Sequence, residues 1–194
     1  MTEQEDFEKE RETILKSLPD SVKQAFGTMG FCKPEKPEDD SDDEGEKPVH
    51  VVDNEFVPCL VMNPYDVPPR PVRDIYWHNL YMDKKKKKKL DELEYLVYHY
   101  GHDDPDDCYS FIAREDFKSY DAGMKEGFGN LPSAIQAKVD TGAELTEEEQ
   151  QRVRALEEMN EDAKKDPVDR KRGNYPFKER HEKVKAPPAK RQKK

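Results

Sequence analysis

The stretch Glu94-Tyr95-Leu96-Val97-Tyr98-His99-Tyr100-Gly101 carries the strongest strand signal in this chain. Aromatic and β-branched side chains fill most of its positions, and the glycine at its end favours a turn. A polar segment at 103–107 follows, and the next strand is predicted to begin in Cys108-Tyr109-Ser110-Phe111-Ile112-Ala113. Together the two runs predict a β-hairpin with a loop of about seven residues, longer than the commonest hairpin loops.

Two further strand signals precede this hairpin. Residues 49–52 form a short β-type run, and a longer one, Phe56-Val57-Pro58-Cys59-Leu60-Val61-Met62, ends at Asn63-Pro64. Because proline cannot donate a backbone hydrogen bond, Pro58 predicts that the longer strand lies at a sheet edge or contains a bulge.

Helices are predicted on both sides of the strands. Residues 1–20 form an N-terminal helix in which Phe7, Ile14 and Leu18 share one face. An aromatic-rich segment within 72–82 is compatible with a second helix.

The C-terminal half contains two more predicted helices, a short one at 134–139 and a longer one at 145–159. Thr146 and Glu149 have the spacing of a capping box at the start of the longer helix. Its apolar side chains share one face: Val153, Leu156 and Met159.

The composition limits how much of the chain folds. Only 33% of the residues are hydrophobic and 40% are charged, and the mean hydropathy is -1.18, so the whole chain cannot bury enough apolar surface. Residues 34–48 have no apolar side chain and predict a disordered acidic insertion. Residues 164–194 carry 13 basic and 4 acidic side chains and predict a disordered basic tail. The folded part is therefore expected at 21–163.

The cysteines and the hydropathy indicate the environment of the protein. Cys32, Cys59 and Cys108 are an odd number without a short pairing motif, and no apolar stretch marks the N-terminus. These features predict a reducing compartment. No run approaches the roughly 20 apolar residues that a membrane span needs, so no membrane partner is expected.

The order of these elements resembles a PWWP domain, a chromatin-reading β-barrel of the Tudor-like group that is followed by helices. Residues 26–33 look like its first strand, and 96–101 are similar to its aromatic-aromatic-glycine strand. Tyr109-Ser110-Phe111-Ile112, with Phe117 and Tyr120, is similar to the strand and closing segment after it. The resemblance covers roughly residues 22–160. It implies an α+β fold with a small five-stranded barrel, and a nuclear chromatin-associated function.

The family binds methyl-lysine in a cage of three aromatic side chains, whose ring faces attract the cation. By the resemblance, the cage positions fall on Asn54, Val57 and His99, none of which is tryptophan, tyrosine or phenylalanine. The defining tetrapeptide reads Glu55-Phe56-Val57-Pro58 and keeps only its final proline. Neighbouring aromatic side chains provide substitutes, with core packing as the competing interpretation: Phe31, Phe56, Tyr98 and Tyr100.

Six consecutive lysines form a dense positive run: Lys84, Lys85, Lys86, Lys87, Lys88 and Lys89. On a loop, this run predicts non-specific contacts with DNA phosphates. The competing interpretation is a solvated linker beside Asp83, Asp91 and Glu92.

Two basic clusters in the tail predict nuclear import signals, with a solubilising tail as the alternative. Their side chains are Arg170, Lys171 and Arg172 in the first cluster, and Lys190, Arg191, Lys193 and Lys194 in the second. Ser41, followed by Asp42, Asp43 and Glu44, has the pattern of an acidic-directed kinase site, although the same letters describe a solvated charge run.

Metal binding and catalysis find little support. Five residues near the predicted hairpin could form a metal site: His99, His102, Asp103, Asp104 and Cys108. A polar hairpin end explains the same residues, and no metal or other cofactor is predicted. The chain has no Gly-rich phosphate loop, no Gly-x-Ser-x-Gly elbow and no His-Glu-x-x-His motif. The prediction is that the protein is not an enzyme.

Two functional hypotheses follow. The first is a PWWP-like nuclear module that contacts a histone tail and nucleosomal DNA, alone or within a protein complex. The alternative is an acidic nuclear scaffold, similar to a histone chaperone, in which residues 35–46 bind basic partners.

Overall fold

A computed structural model of the chain describes residues 3–33, 56–66, 77–102 and 108–170. In this part the protein is α+β, with a curled five-stranded antiparallel sheet that forms a half-barrel, and helices around it. The predicted fold class is therefore confirmed at this level. The expected strand at 49–52 and the acidic insertion at 34–48 lie outside the described residues.

The five strands pair in the order β4-β3-β2-β1-β5, and every neighbouring pair is antiparallel. The strands are β1 (Met29–Cys32), β2 (Val57–Val61), β3 (Tyr95–His99), β4 (Tyr109–Ile112) and β5 (Phe117–Ser119). The predicted hairpin is β3–β4, with Tyr95 opposite Ile112 and Tyr98 opposite Tyr109.

The short connection between β4 and β5 forces the sheet to curl. These two strands lie at opposite edges of the sheet. In a flat sheet, four strand spacings would separate them by about 19 Å. The chain from Ile112 to Phe117 makes five residue steps and spans about 18 Å even when fully extended. Since Arg114–Asp116 is a 3₁₀ turn, the real reach is shorter and the two edges must approach each other.

Pro58 lies in the central strand β2, between β1 and β3, so the prediction of an edge strand is wrong. The reason is the register of the neighbouring strand. The carbonyl of Pro58 accepts from the Tyr100 N–H, which lies just beyond the end of β3. Pro58 has no backbone N–H to donate, but it lies where the hydrogen-bonded pairing of β2 with β3 has already ended.

Six helices accompany the sheet in the described residues: α1 (Glu3–Ser17), α2 (Asp20–Lys23), α3 (His78–Lys86), α4 (Tyr120–Lys125), α5 (Ser133–Thr141) and α6 (Glu147–Ala163). The capping box of α6 is confirmed, because Thr146 Oγ1 accepts from the Glu149 N–H and the Glu149 carboxylate accepts from the Thr146 N–H. None of the helices in the described ranges is long and apolar enough to span a membrane.

Alternation along the strands gives the sheet two different buried faces. One face, which we call the α6 face, packs against Ala155, Leu156 and Met159 of α6. Its strand residues include Met29, Phe31, Leu60, Leu96 and Tyr98. The opposite face, which we call the cysteine face, holds Cys32, Cys59, Val61, Val97 and Ile112.

The N-terminal helix is part of the folded body. Ile14 and Leu18 are buried in a third apolar cluster with Trp77, Tyr81 and Leu93. The hydroxyl groups of Ser17 and Tyr81 are 2.6 Å apart, which ties α1 to α3.

The end of α6 is fixed by polar contacts. Asp162 is fully buried and accepts from the Tyr100 hydroxyl at 3.0 Å. Beyond the helix, Arg170 Nη1 donates to the Gly27 carbonyl at 2.9 Å. Residues 164–170 therefore belong to the folded part and not to the predicted disordered tail.

The closest approach of α4 to the sheet gives the first testable prediction. A Cβ added at Gly123 would lie 2.1 Å from a ring carbon of the buried Phe31, which has no room to move. We expect Gly123→Ala to lower the free energy of unfolding by about 1–3 kcal/mol, measured by urea denaturation.

Gly129→Ala is the matched control. Its added Cβ would meet the sulfur of Met124, which belongs to a flexible and partly exposed side chain that can turn aside. Equal losses of stability in the two variants would contradict the close packing of α4 on Phe31.

Candidate functional site

The lysine run lies at the C-terminal end of α3, and only its second half follows the helix. Lys84, Lys85 and Lys86 form the last helical turn. Positive side chains stabilise this end of a helix because the unpaired carbonyl groups carry partial negative charge. The helix dipole therefore explains part of the run without any ligand.

The helix ends in a Schellman motif built from the same lysines. The Lys88 N–H donates to the Lys85 carbonyl at 3.1 Å, and the Lys89 N–H donates to the Lys84 carbonyl at 2.9 Å. Lys88 has a φ of 56°, a left-handed conformation that glycine adopts at little cost and other residues adopt with strain. A lysine thus occupies a position that normally favours glycine.

Ion pairs divide the run into paired and unpaired cations. Lys87 Nζ lies 2.8 Å from the Asp83 carboxylate. The Glu92 carboxylate lies 2.9 Å from Lys89 Nζ and 3.7 Å from Lys84 Nζ. The hydrogen bond from Lys89 lowers the pKa of Glu92.

The remaining lysines have no acidic partner among the described residues. Lys85 Nζ lies 5.4 Å from the centroid of the Tyr81 ring. Lys86 and Lys88 are exposed and make no ion pair within the described part of the chain. We call Lys85, Lys86 and Lys88 the lysine surface.

The base of the lysine surface is fixed by aromatic packing. Trp77 and Tyr81 are buried and their rings stack with centroids 5.6 Å apart. This packing holds α3 against α1, so the lysine surface has a defined position on the folded body.

The structure brings two of the three cage positions to the cysteine face. Asn54 lies outside the described residues, while Val57 is half-buried at the start of β2. His99 is 7% exposed. Its Nδ1 lies 3.7 Å from Cys32 Sγ, and its Nε2 lies 2.7 Å from Ser110 Oγ. The imidazole is thus engaged on both sides, and within the described ranges no cage of aromatic rings surrounds it.

The substitute aromatic side chains are distributed differently from what a cage requires. Phe31, Tyr98 and Tyr100 are at most 2% exposed and belong to the α6 face, so they pack the core. Phe56 is half-buried and stacks on Phe128 with ring centroids 4.7 Å apart.

Phe56 also has a cation beside it. Lys118 Nζ lies 5.3 Å from the Phe56 ring centroid and 5.4 Å from the Phe128 ring centroid, and it pairs with the Glu126 carboxylate. The chain's own lysine therefore occupies the position that an external ammonium group would need at these rings. Sequence reasoning missed Phe128 and Lys118, since no local motif links them to Phe56.

A second feature that the sequence did not reveal is a thiol cluster on the cysteine face. All three cysteines are buried free thiols. The Cys59 thiol donates a hydrogen bond to Cys32 and His99 assists, which lowers the pKa of Cys32 to about 6. Burial raises the pKa of Cys59 well above its usual range. The cluster can therefore hold one thiolate inside the sheet at neutral pH.

The other candidate residues are placed as follows. His99 and His102 have ring centroids 5.7 Å apart, and Asp103 and Asp104 lie outside the described residues. Within the described ranges, no three His, Cys, Asp or Glu side chains are placed to hold a metal ion. Other predicted residues outside the described part are Ser41, Lys171, Arg172, Lys190, Arg191, Lys193 and Lys194.

Comparison of the chain with known protein families, with curated proteins and with solved structures finds no match.

The thiol cluster gives a prediction for the pH dependence of absorbance. Because the pKa of Cys32 is lowered to about 6, the thiol is protonated below that pH and ionised above it. We expect thiolate absorbance at 240 nm to rise near pH 6 in the folded protein, by an amount that corresponds to about one thiolate.

Cys32→Ser should abolish this step, and Cys108→Ser should retain it, because Cys108 takes no part in the Cys32–Cys59–His99 cluster. A titration in which all absorbance appears above pH 8 would contradict the lowered pKa.

Proposed function

We propose that this chain is a nuclear, chromatin-associated binding module of the PWWP-like kind, which contacts DNA phosphates through the lysine surface. The order of strands and the curled five-stranded sheet support the likeness. The observation that carries the proposal is the position of Lys88, a lysine with a φ of 56° and no acidic partner among the described residues. A glycine there would relieve about 1 kcal/mol of backbone strain, so the side chain is retained at a cost.

The charge distribution supports a local contact. The whole chain has a formal net charge of -10, which repels DNA from most of its surface. Phosphates are attracted only where cations are free, and Lys86 and Lys88 are free within the described part of the chain. Such a contact is non-specific and weakens as salt increases.

The proposed histone contact lies near Val57 and His99. Methyl-lysine capture is not part of the proposal, because both nitrogens of His99 are engaged and the nearby aromatic rings are buried or face Lys118. Binding to a histone segment is instead expected to be insensitive to lysine methylation. The proposed function includes no catalytic activity.

The nuclear location is proposed from the basic tail. Arg170 is not available to an import receptor, since its guanidinium donates to the carbonyls of Gly27 and Asp162. The import signal is therefore assigned to the other basic residues of the two clusters: Lys171, Arg172, Lys190, Arg191, Lys193 and Lys194.

The proposal is tested by a pair of double variants of the full chain. Lys86→Ala/Lys88→Gly removes the free cations, and Lys87→Ala/Lys89→Ala removes two cations that are already paired. We expect the first variant to lower the slope of log affinity against log salt by about 2 on short duplex DNA, measured by fluorescence anisotropy. The second should change the slope by less than half of that.

The stability of the first variant excludes unfolding as the cause. Because glycine relieves the left-handed strain at Lys88, Lys88→Gly alone should raise the free energy of unfolding by about 1 kcal/mol. Identical DNA affinities for the two double variants would overturn the lysine surface as the DNA contact.

A second candidate function, an acidic scaffold for basic partners, is favoured by the exposed side of α6. This helix carries seven acidic and two basic side chains. Glu147, Glu148 and Glu157 are exposed and have no basic partner among the described residues. In this alternative, core histones bind the acidic surface and DNA is irrelevant.

The two functions respond differently to one variant. Glu147→Gln/Glu148→Gln/Glu157→Gln should weaken binding to free core histones by roughly tenfold under the scaffold function, since each glutamate contributes to electrostatic attraction. DNA affinity should then stay the same or rise. Unchanged histone binding in a pull-down titration would exclude the described part of α6 as the acidic surface.

A further inference from the structure

Arg152 of α6 has two guanidinium nitrogens that are buried without a hydrogen-bond partner in the described part of the chain. Its Nε and Nη2 atoms are both covered and make no hydrogen bond within the described part of the chain. Arg152 precedes Leu156 and Met159 by about one and two helical turns, and these two side chains pack into the core beneath α6. Arg152 therefore points toward the rim of the same cluster.

The two unpartnered atoms belong to one edge of the guanidinium. The N–H bonds of Nε and Nη2 are parallel, and together they match the two oxygens of a carboxylate or phosphate. A buried cation without such a partner costs free energy in the free protein. Burial also lowers the pKa of Arg152, and no neighbouring acid offsets it. The arrangement is explained if a partner supplies the anion.

The charge of the side chains around Arg152 indicates which kind of anion would bind there. The outer side of α6 is negative. Glu148 is exposed one helical turn before Arg152, and Glu147 and Glu157 are exposed farther round the helix. A polyanion such as DNA is repelled by this surface, while a basic protein segment is attracted to it. A single acidic side chain within such a segment would then be the group that reaches Arg152.

We propose that Arg152 binds one carboxylate carried by an otherwise basic protein segment, through a two-point hydrogen bond from Nε and Nη2. The glutamates of α6 attract the segment, and Arg152 fixes its register. The residue as a whole is half-buried, so a shift of its flexible side chain uncovers the guanidinium edge to the partner. This site goes beyond the DNA contact and involves none of the residues of the lysine surface.

The experiment uses the full chain and two matched peptides. One is a short peptide rich in lysine and glycine with a central glutamate, and the other has glutamine at that position. We expect the glutamate peptide to bind the protein about tenfold more tightly, and the ¹⁵N signal of the Arg152 Nε–H group to shift only with it. Equal affinities for the two peptides would overturn the proposal.

Three variants separate the role of Arg152 from general charge. Arg152→Met and Arg152→Lys should both lose the preference for glutamate, because neither has the two-point donor edge. Arg154→Met, which removes the neighbouring exposed arginine, should keep the preference. A preference that persists in Arg152→Met would assign the carboxylate to another cation and overturn the site.

Stability provides a separate readout. If the guanidinium has no partner in the free protein, Arg152→Met should have a Tm equal to or above that of the parent chain when no peptide is present. A clearly lower Tm for both Arg152→Met and Arg152→Lys would show that Arg152 stabilises the free fold, and would overturn the inference. A shift of the Arg152 Nε–H signal on addition of duplex DNA, with no shift on addition of the peptide, would also overturn the inference.

Discussion

The connection from β4 to β5 joins the two edge strands of the sheet. Its five residue steps are too short to cross a flat five-stranded sheet, so the sheet curls until its two edge strands come close. The curl gives the sheet an inner and an outer face that are both buried. As a consequence, the three inner strands β1, β2 and β3 are buried along almost their whole length.

The helices pack around the curled sheet. α6 lies against one face, and its C-terminal end is fixed by the buried pair of Asp162 and Tyr100. The pKa of Tyr100 is raised, because its hydroxyl is buried and lies against the Asp162 carboxylate, so Tyr100 remains a neutral hydrogen-bond donor. α1 and α3 form a separate layer around Trp77. The proposed DNA contact and the proposed carboxylate site lie on α3 and α6, while the proposed histone contact lies on the sheet at Val57 and His99.

The helices α3 and α6 carry charges of opposite sign. α3 ends in lysines that neither Asp83 nor Glu92 fully neutralises. α6 carries acidic side chains on its outer surface, together with the half-buried Arg152. Under the two proposals, the lysine surface contacts DNA and α6 contacts a basic protein segment. In this scheme the two sites bind different partners and are tested independently.

The local elements follow from residues that are close together in the chain. These elements are the strand at Tyr95–His99, the capping box of Thr146 and Glu149, and the hairpin. Three other features appear only in the folded chain: the central position of Pro58, the stacking of Phe56 on Phe128 and the contact of Cys32 with His99. These depend on strand order and on the curl, which join residues far apart in sequence. The lysine run illustrates both, since its charge is evident from sequence, while the packing of α3 that positions it, through Trp77 and Tyr81, arises in the fold.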